Sequence, residues 1–461
     1  MKKTFFPAHL IGTVSAPASK SEAHRRMICA GLTQGETMLT GFMDSADMAA
    51  TMRCLGALGS TFNRDGDTLT ISGMQGKIAK MPVMDCGESG STLRFFVPIA
   101  LTVAGGTVFR MHGRLGSRPM DVYRDLFVPR GVRWYMGVGA DGAAELTVRG
   151  KMEPGDYVLP GNVSSQFISG LLFATPLMEA PSTIEVRAPF ESRSYVDLTT
   201  DAMQKFGVKV SVRARKDGSA TYKVAAPQHY AAADMDVEGD YSQAAFLAVL
   251  GSTVGGITIT GLPSGSHQGD RVILDILKQC GAKFERSGSH VTFHRSLLKA
   301  VEIDLADCPD LGPVLIALGC FCSGTTIIRN AGRLRIKECD RIAAMQEELA
   351  KMGGTVKVDG DTLTIEGCAL HKPTAPLNGH NDHRIVMAMA VAALAAGQPA
   401  GIGGGNAAPP GHNDHRVVMS LAVLALSTGI PLTVDDAEAI TKSWPNFFEA
   451  IKPLGAEVEY A

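Results

Sequence analysis

"LGSTFNRDGDTLTISG" fills residues 58–73, and "MGGTVKVDGDTLTIEG" fills residues 352–367. Each opens with a glycine where a helix would need a residue in the left-handed region to end it. Each then alternates apolar and polar residues through two short runs around a turn, the pattern of strands with one buried face. The residues ahead of such stretches, as in "DRIAAMQEELAK" (340–351) and "DRVILDILKQ" (270–279), carry apolar residues at helical spacing.

Working outward, four more stretches of this kind appear: "RGVRWYMGVGADGAAELTVRG" (130–150), "FGVKVSVRARKDGSATYKV" (206–224), "CGAKFERSGSHVTFH" (280–294) and "LGAEVEYA" (454–461). The capping glycines are Gly59, Gly131, Gly207, Gly281, Gly353 and Gly455, at intervals of 72, 76, 74, 72 and 102 residues. A repeat of helix plus strands predicts an α/β architecture. Six units suggest two pseudo-symmetric domains of three units each, with helices buried by sheets.

The last interval is long by the length of a second repeat. "GHNDHR" stands at 379–384 and again at 411–416, 32 residues later. Positions 379–397 and 411–429 agree at 13 of 19 places, and "GQPAGIGGGNAAPP" between them reads as a linker. Removing 32 residues brings the last interval to 70. The duplication, about 379–410, is therefore an added segment and not a seventh unit.

Composition narrows the function. With 461 residues, 45% hydrophobic and 20% charged, the chain reads as a globular protein of two domains. A net charge of −2 argues against a nucleic-acid binder, so any anion site must come from local clusters of Arg and Lys. Nine cysteines without a CxxC pair suit a reducing cytoplasm, and Cys320 and Cys322 read as buried small residues. The start "MKKTFFPAHLIGTVSAPA" has Pro7 and His9 breaking its apolar run, so a secretory signal is not expected. The apolar runs after Arg384 and Arg416 are about 12 residues long, too short to span a bilayer.

Several motifs place Ser, Lys and Arg at helix starts, where backbone N–H groups and the dipole favour anions. "PASKSEAHRRM" (17–27) offers Lys20, Ser21 and Arg25; "DCGESGSTLRF" (85–95) runs through Gly90 to Arg94; "GNVSSQF" (161–167) lines up Ser164, Ser165 and Gln166. "RLRIKECDR" (333–341) sets Arg333, Arg335, Lys337 and Arg341 around Glu338 and Asp340. GHNDHR fits the same pattern, its Asn or Asp capping a helix and its Arg following. Each motif alone reads equally as an ordinary cap or a solvated charge run. Together they point to a small substrate carrying phosphate and carboxylate. His380 and His383 have metal-ligand spacing, but no third ligand stands with them and no metal is expected.

KSEAHR (20–25), ESGSTLR (88–94), RP (118–119), SSQ (164–166), SRSY (192–195), PD (309–310), KECDR (337–341), NDHR and KSWP (442–445) occur in order along the chain. In these motifs the sequence resembles the enolpyruvyltransferases, and among them the EPSP synthase (3-phosphoshikimate 1-carboxyvinyltransferase) family. The resemblance implies an inside-out α/β barrel in each domain, with residues 1–19 plus 231–461 in one, 20–230 in the other, and an active site in the cleft. It implies transfer of the enolpyruvyl group of phosphoenolpyruvate to the 5-hydroxyl of shikimate 3-phosphate, without a cofactor, by a cytoplasmic monomer. Shikimate 3-phosphate would meet Lys20, Ser21, Arg25, Ser164, Ser165, Gln166, Ser192, Tyr195, Asp310 and Lys337. Phosphoenolpyruvate would meet Lys20, Gly90, Arg118, Gln166, Arg341, Lys442 and the arginine of NDHR. Asp310, Glu338 and Lys20 would move protons. Gly90 would leave room for glyphosate. Two positions depart from the commoner family pattern: Glu88 and Arg333 each stand where relatives carry Asn.

The NDHR arginine is either Arg384 or Arg416. Arg384 lies 43 residues after Arg341, and Arg416 lies 26 before Lys442, so each copy is in register on one side only. Using Arg384 lets the added chain leave from the far end of its helix, which favours that copy. The rival readings are a UDP-N-acetylglucosamine enolpyruvyltransferase and a non-catalytic anion-binding relative.

Overall fold

The computed structural model describes residues 3–6, 11–74, 78–337, 339–371, 373–375, 380, 382–395, 432–434 and 457–460. The chain separates into two compact units. One holds Ser19–Phe42 and Ala46–Val237; the other holds Met1–Ala18, Met43–Ser45 and Glu238–Ala461.

The first of these contains α1 (Lys20–Gly31), α2 (Ala46–Ala57), α3 (Gly90–Val103), α4 (Asp121–Phe127), α5 (Ser165–Ala174) and α6 (Arg193–Lys205). Here α3 packs on α5, α5 on α6, and α6 on α1. The second contains α7 (Tyr241–Val254), α8 (Ile273–Gln279), α9 (Gly312–Phe321), α10 (Arg341–Ala350) and α11 (His383–Ala395). Helices α7 and α9 are buried around nearly their whole circumference, as a helix enclosed by other elements must be. Helix α11 packs against α7, α9 and α10.

The sheets repeat one plan. Met235–Asp236 runs parallel to Glu36–Thr40, which pairs antiparallel with Thr68–Ser72, which pairs antiparallel with Thr61–Asp65. Four further sheets have this order: one parallel pair, then the second arm of a hairpin, then its first arm at the edge. Leu69 and Ile71 are fully buried while Thr68 and Thr70 keep partial exposure, so each strand turns its apolar residues to the helices and its polar ones outward. Helices inside and sheets outside make each unit the α/β arrangement expected from the repeat.

The capping glycines explain the period. Gly59, Gly131, Gly207, Gly281 and Gly353 have φ of +99°, +86°, +81°, +87° and +86°, a region that side-chain-bearing residues avoid. Gly455 lies outside the described residues. The glycines that close the two opening stretches serve a different need. A Cβ on Gly73 would stand 2.3 Å from the Thr33 carbonyl oxygen, and one on Gly367 would stand 1.8 Å from that of Cys322. Backbone cannot yield as a side chain can. Gly367→Ala is expected to cost about 2–3 kcal/mol of stability, read from the urea midpoint at unchanged m-value. A loss under about 0.5 kcal/mol would mean that the strand end simply shifts.

The sixth unit is built differently from the other five. Its strand Glu457–Tyr460 pairs antiparallel with Lys3–Phe6, which also pairs with Leu432–Val434. Lys3–Phe6 thus takes the middle place that the second hairpin arm holds in the other sheets. The nine cysteines are free thiols, with Cys320 and Cys322 buried as expected. Among the described residues, no helix is long and apolar enough to cross a membrane.

Candidate active site

Four helix starts, those of α1, α3, α5 and α6, carry the predicted residues of the unit Ser19–Phe42 and Ala46–Val237. Ser19 caps α1, its Oγ accepting from Glu22 N at 3.4 Å, which puts Lys20 and Ser21 on the first turn. Lys20 Nζ donates to Asp47 Oδ2 at 2.8 Å and stays about a third exposed. Arg25 is buried one turn further on. Its Nη1 donates to the Ser21 carbonyl at 2.7 Å, and its Nε to Thr199 Oγ1 at 2.8 Å and the Tyr195 carbonyl at 3.1 Å. The guanidinium also lies over the rings of Phe95 and Tyr195, 5.4 and 5.9 Å from their centroids. Burial lowers the Arg25 pKa to about 10, which still leaves it charged at neutral pH. Ser192 sits just before α6 in left-handed backbone, φ +53°, one turn ahead of Tyr195.

Ser164 caps α5 by accepting from Gln166 N at 3.3 Å, and Ser165 is buried behind it. Gln166 Oε1 accepts from Arg94 Nη1 at 2.7 Å, while Arg94 Nη2 donates to the Pro119 carbonyl at 3.2 Å. Arg94 therefore ties Gln166 to the Arg118–Pro119 loop, a positioning role absent from the sequence-based site. Its ESGSTLR context was the available signal. Gly90 opens α3 close beneath Arg118: a Cβ there would stand 2.9 Å from Arg118 Nη1. Glu88 is exposed on the same loop, against Gly113.

In the other unit three cations converge on Asp310. This residue lies in a 3₁₀ turn, Pro309–Leu311, that leads into α9. Arg384 donates twice: Nη1 to the Asp310 carbonyl and Nη2 to Oδ2, each at 2.9 Å. Lys337 Nζ stands 3.3 Å and Arg341 Nη1 3.4 Å from Oδ1. Burial by itself raises the Asp310 carboxyl, but Arg384, Lys337 and Arg341 together outweigh it and hold the group well below the usual carboxylate range. The neighbouring Asp270, almost fully buried, goes the other way. Desolvation, then repulsion from Asp310, pushes it up to about 7.

Asp382 stands behind this cluster with no solvent exposure. Its Oδ2 accepts from Arg341 Nε at 2.7 Å, and its Oδ1 from Arg341 Nη2 at 3.3 Å and from Arg384 N at 2.9 Å. One aspartate of the NDHR motif thus caps α11 and fixes the arginine at the start of α10, whose own cap is Asp340. The sequence reading foresaw the cap but not the pairing with Arg341. His380, at φ +52°, anchors the same turn: its Nε2 lies 2.8 Å from Oε1 of the buried Glu348, which Lys351 also holds at 2.8 Å. Arg333 lies on the 3₁₀ turn Gly332–Ile336, partly exposed. Glu338, Arg416 and Lys442 lie outside the described residues.

The chemistry on offer is charge stabilisation by clustered guanidinium and ammonium groups beside an ionised carboxylate. The family model described as EPSP synthase (3-phosphoshikimate 1-carboxyvinyltransferase) matches residues 6–411 and again 406–451. The chain belongs to the EPSP synthase family. The two matches divide the duplicated motif between them, the first holding Arg384 and the second Arg416. A family protein of Clostridium kluyveri named 3-phosphoshikimate 1-carboxyvinyltransferase is 38% identical over 455 residues, covering 98% of this chain and 97% of its own. One of the same name from Clostridioides difficile is 35% identical over 464 residues, covering 98% and 97%. The fold of an EPSP synthase from Acinetobacter baumannii superposes with a TM-score of 0.72 at 21% identity over the whole of both chains. The enolpyruvyl transferase NikO from Streptomyces tendae gives 0.69 at 17%, over 100% of this chain and 98% of its own. These matches do not favour either rival reading of the sequence.

Proposed function

We propose that this member of the family transfers the enolpyruvyl group of phosphoenolpyruvate to the 5-hydroxyl of shikimate 3-phosphate. The observation that carries the reading is the convergence of Arg384, Arg341 and Lys337 on Asp310. It supplies cations for an anionic substrate beside a carboxylate that is ionised at neutral pH. Asp310 takes the proton of the 5-hydroxyl as its oxygen bonds to C2 of phosphoenolpyruvate, and C3 gains a proton, with Lys20 and Glu338 as its carriers. The tetrahedral adduct then loses C3–H and the C2–O bond to phosphate, restoring the double bond. The steps balance without an oxidant, a metal or a cofactor. Arg341, Arg384, Arg118, Lys442 and Lys20 neutralise the carboxylate and phosphate of phosphoenolpyruvate, with Gly90 and Gln166 beside it. Lys20, Ser21, Arg25, Ser164, Ser165, Gln166, Ser192, Tyr195, Asp310 and Lys337 hold shikimate 3-phosphate. In this reading the protein works as a monomer in the cytoplasm, a reducing compartment that its free thiols suit.

The test is phosphate release from phosphoenolpyruvate in the presence and absence of shikimate 3-phosphate. Release that needs both substrates is expected; release indifferent to the second would end the proposal. Glyphosate is expected to inhibit competitively with phosphoenolpyruvate, because Gly90 leaves open the space under Arg118 that a methyl would enter. Insensitivity at millimolar glyphosate would show that Glu88, which puts a carboxylate on that loop, or the added segment has reshaped it.

A further inference from the structure

Two aspartates neutralise the cations of the Arg341–Arg384 cluster, and they do so differently. Asp382 is fully enclosed and takes the Nε and Nη2 edge of Arg341. Asp310 keeps a quarter of its side chain exposed and sits on a single 3₁₀ turn. It occupies both terminal nitrogens of Arg384, while the remaining Nε is buried with no partner among the described residues. It also receives the one terminal nitrogen of Arg341, Nη1, that Asp382 leaves over.

A carboxylate or phosphate binds guanidinium most strongly by taking two N–H groups of the fork at once. On Arg384 Nη2 is already spent on the Asp310 carboxylate and Nη1 on the Asp310 main-chain carbonyl, and on Arg341 Nη1 points to the same carboxylate. An incoming anion and Asp310 therefore compete for the same donors. We propose that Asp310 is a built-in anion occupying Arg384 and Arg341 in the substrate-free enzyme, and that phosphoenolpyruvate binds by displacing it, which releases the carboxylate for proton abstraction.

This rests on the assignment of Arg341 and Arg384 to phosphoenolpyruvate. Its consequence is electrostatic. The groups facing Asp310 among the described residues are Arg384 from α11, Arg341 from α10, Lys337 from the turn before it, and Asp270 and Cys308. Once the two arginines turn to a doubly charged ligand, Lys337 is the one facing cation left among the described residues, against the ligand's own negative charge and a partly ionised Asp270. The proton affinity of Asp310 then climbs from its depressed value toward that of a working base. The carboxylate is a poor base while it guards the empty site and a better one once the substrate is there.

Direct binding tests this without turnover, and so separately from the phosphate-release assay. Phosphoenolpyruvate alone and inorganic phosphate alone are titrated calorimetrically into wild type, Asp310→Asn, Asp310→Glu and Asp304→Asn. Asp310→Asn is expected to bind both anions about tenfold or more tightly, a coupling of ordinary size for competing ligands. Asp310→Glu keeps the competing charge and is expected to stay within about threefold of wild type. Asp304 is exposed and bonded to Asn330, so Asp304→Asn reports the general field and is expected to shift affinity less than about twofold. Asp310→Ser replaces Asp310→Asn if the latter does not fold. No gain on removing the Asp310 charge, or an equal gain in Asp304→Asn, overturns the proposal.

Discussion

Asp310→Asn is expected to lower kcat about 10²–10⁴-fold while the protein folds as before, the usual loss when a positioned base is removed. Asn has the volume of Asp and still offers an oxygen to Arg384, whose bond to the Asp310 carbonyl does not involve the side chain at all. The apolar core under α9 is built from residues such as Val314, Leu315 and Ile316, none of which needs the charge. The loss therefore belongs to chemistry and not to stability. Lys20→Met is expected to fall in the same range. Met keeps the length of the lysine stem, and the Nζ bond to Asp47 that it breaks is partly exposed, where an ion pair contributes about 0–1 kcal/mol. Both variants are compared with wild type by phosphate release and by circular dichroism. Near-normal kcat in both would end the assignment of these residues.

The doubled motif gives the second large effect. Arg384→Ala is expected to raise KM for phosphoenolpyruvate about 30- to 1,000-fold, the cost of truncating one partner of a nearly buried charged contact. Arg416→Ala is expected to stay within about threefold of wild type. The reason is positional: Arg384 follows the Asp382 cap that also holds Arg341, and α11 continues into buried Ile385, Ala388 and Met389. Moving that helix would uncover a core face and release Arg341 at once. Loss confined to Arg416→Ala would reverse the choice of copy, and loss in neither would remove NDHR from the site.

How much of this was legible beforehand depends on the range of each interaction. The units were readable because five of them, in the described residues, are punctuated by a glycine at positive φ, and φ is a local property that only glycine adopts freely there. Hairpins were readable from alternation, since Leu69 and Ile71 must face one way and Thr68 and Thr70 the other. The parallel partner of each sheet, such as Met235–Asp236 beside Glu36–Thr40, carries no local mark. Neither does the pairing of Lys3–Phe6 with Glu457–Tyr460. In the site, arginines at helix starts were visible as motifs. What they touch was not: Asp382 behind Arg341, Glu348 behind His380 and Arg94 beside Gln166 are contacts between segments 32 to 72 residues apart.

The strand at residues 3–6 also dictates a schedule for the ribosome. Ser19–Phe42 and Ala46–Val237 form an almost continuous unit, free to condense while the remainder of the chain is still being made. Lys3–Phe6 has no such freedom, because its partners at 432–434 and 457–460 emerge hundreds of residues later. Through nearly all of synthesis this short segment travels with its backbone donors and acceptors unpaired, open to pairing with a neighbouring nascent chain. Because closing so long a loop is slow, the last sheet is expected to set the pace of maturation.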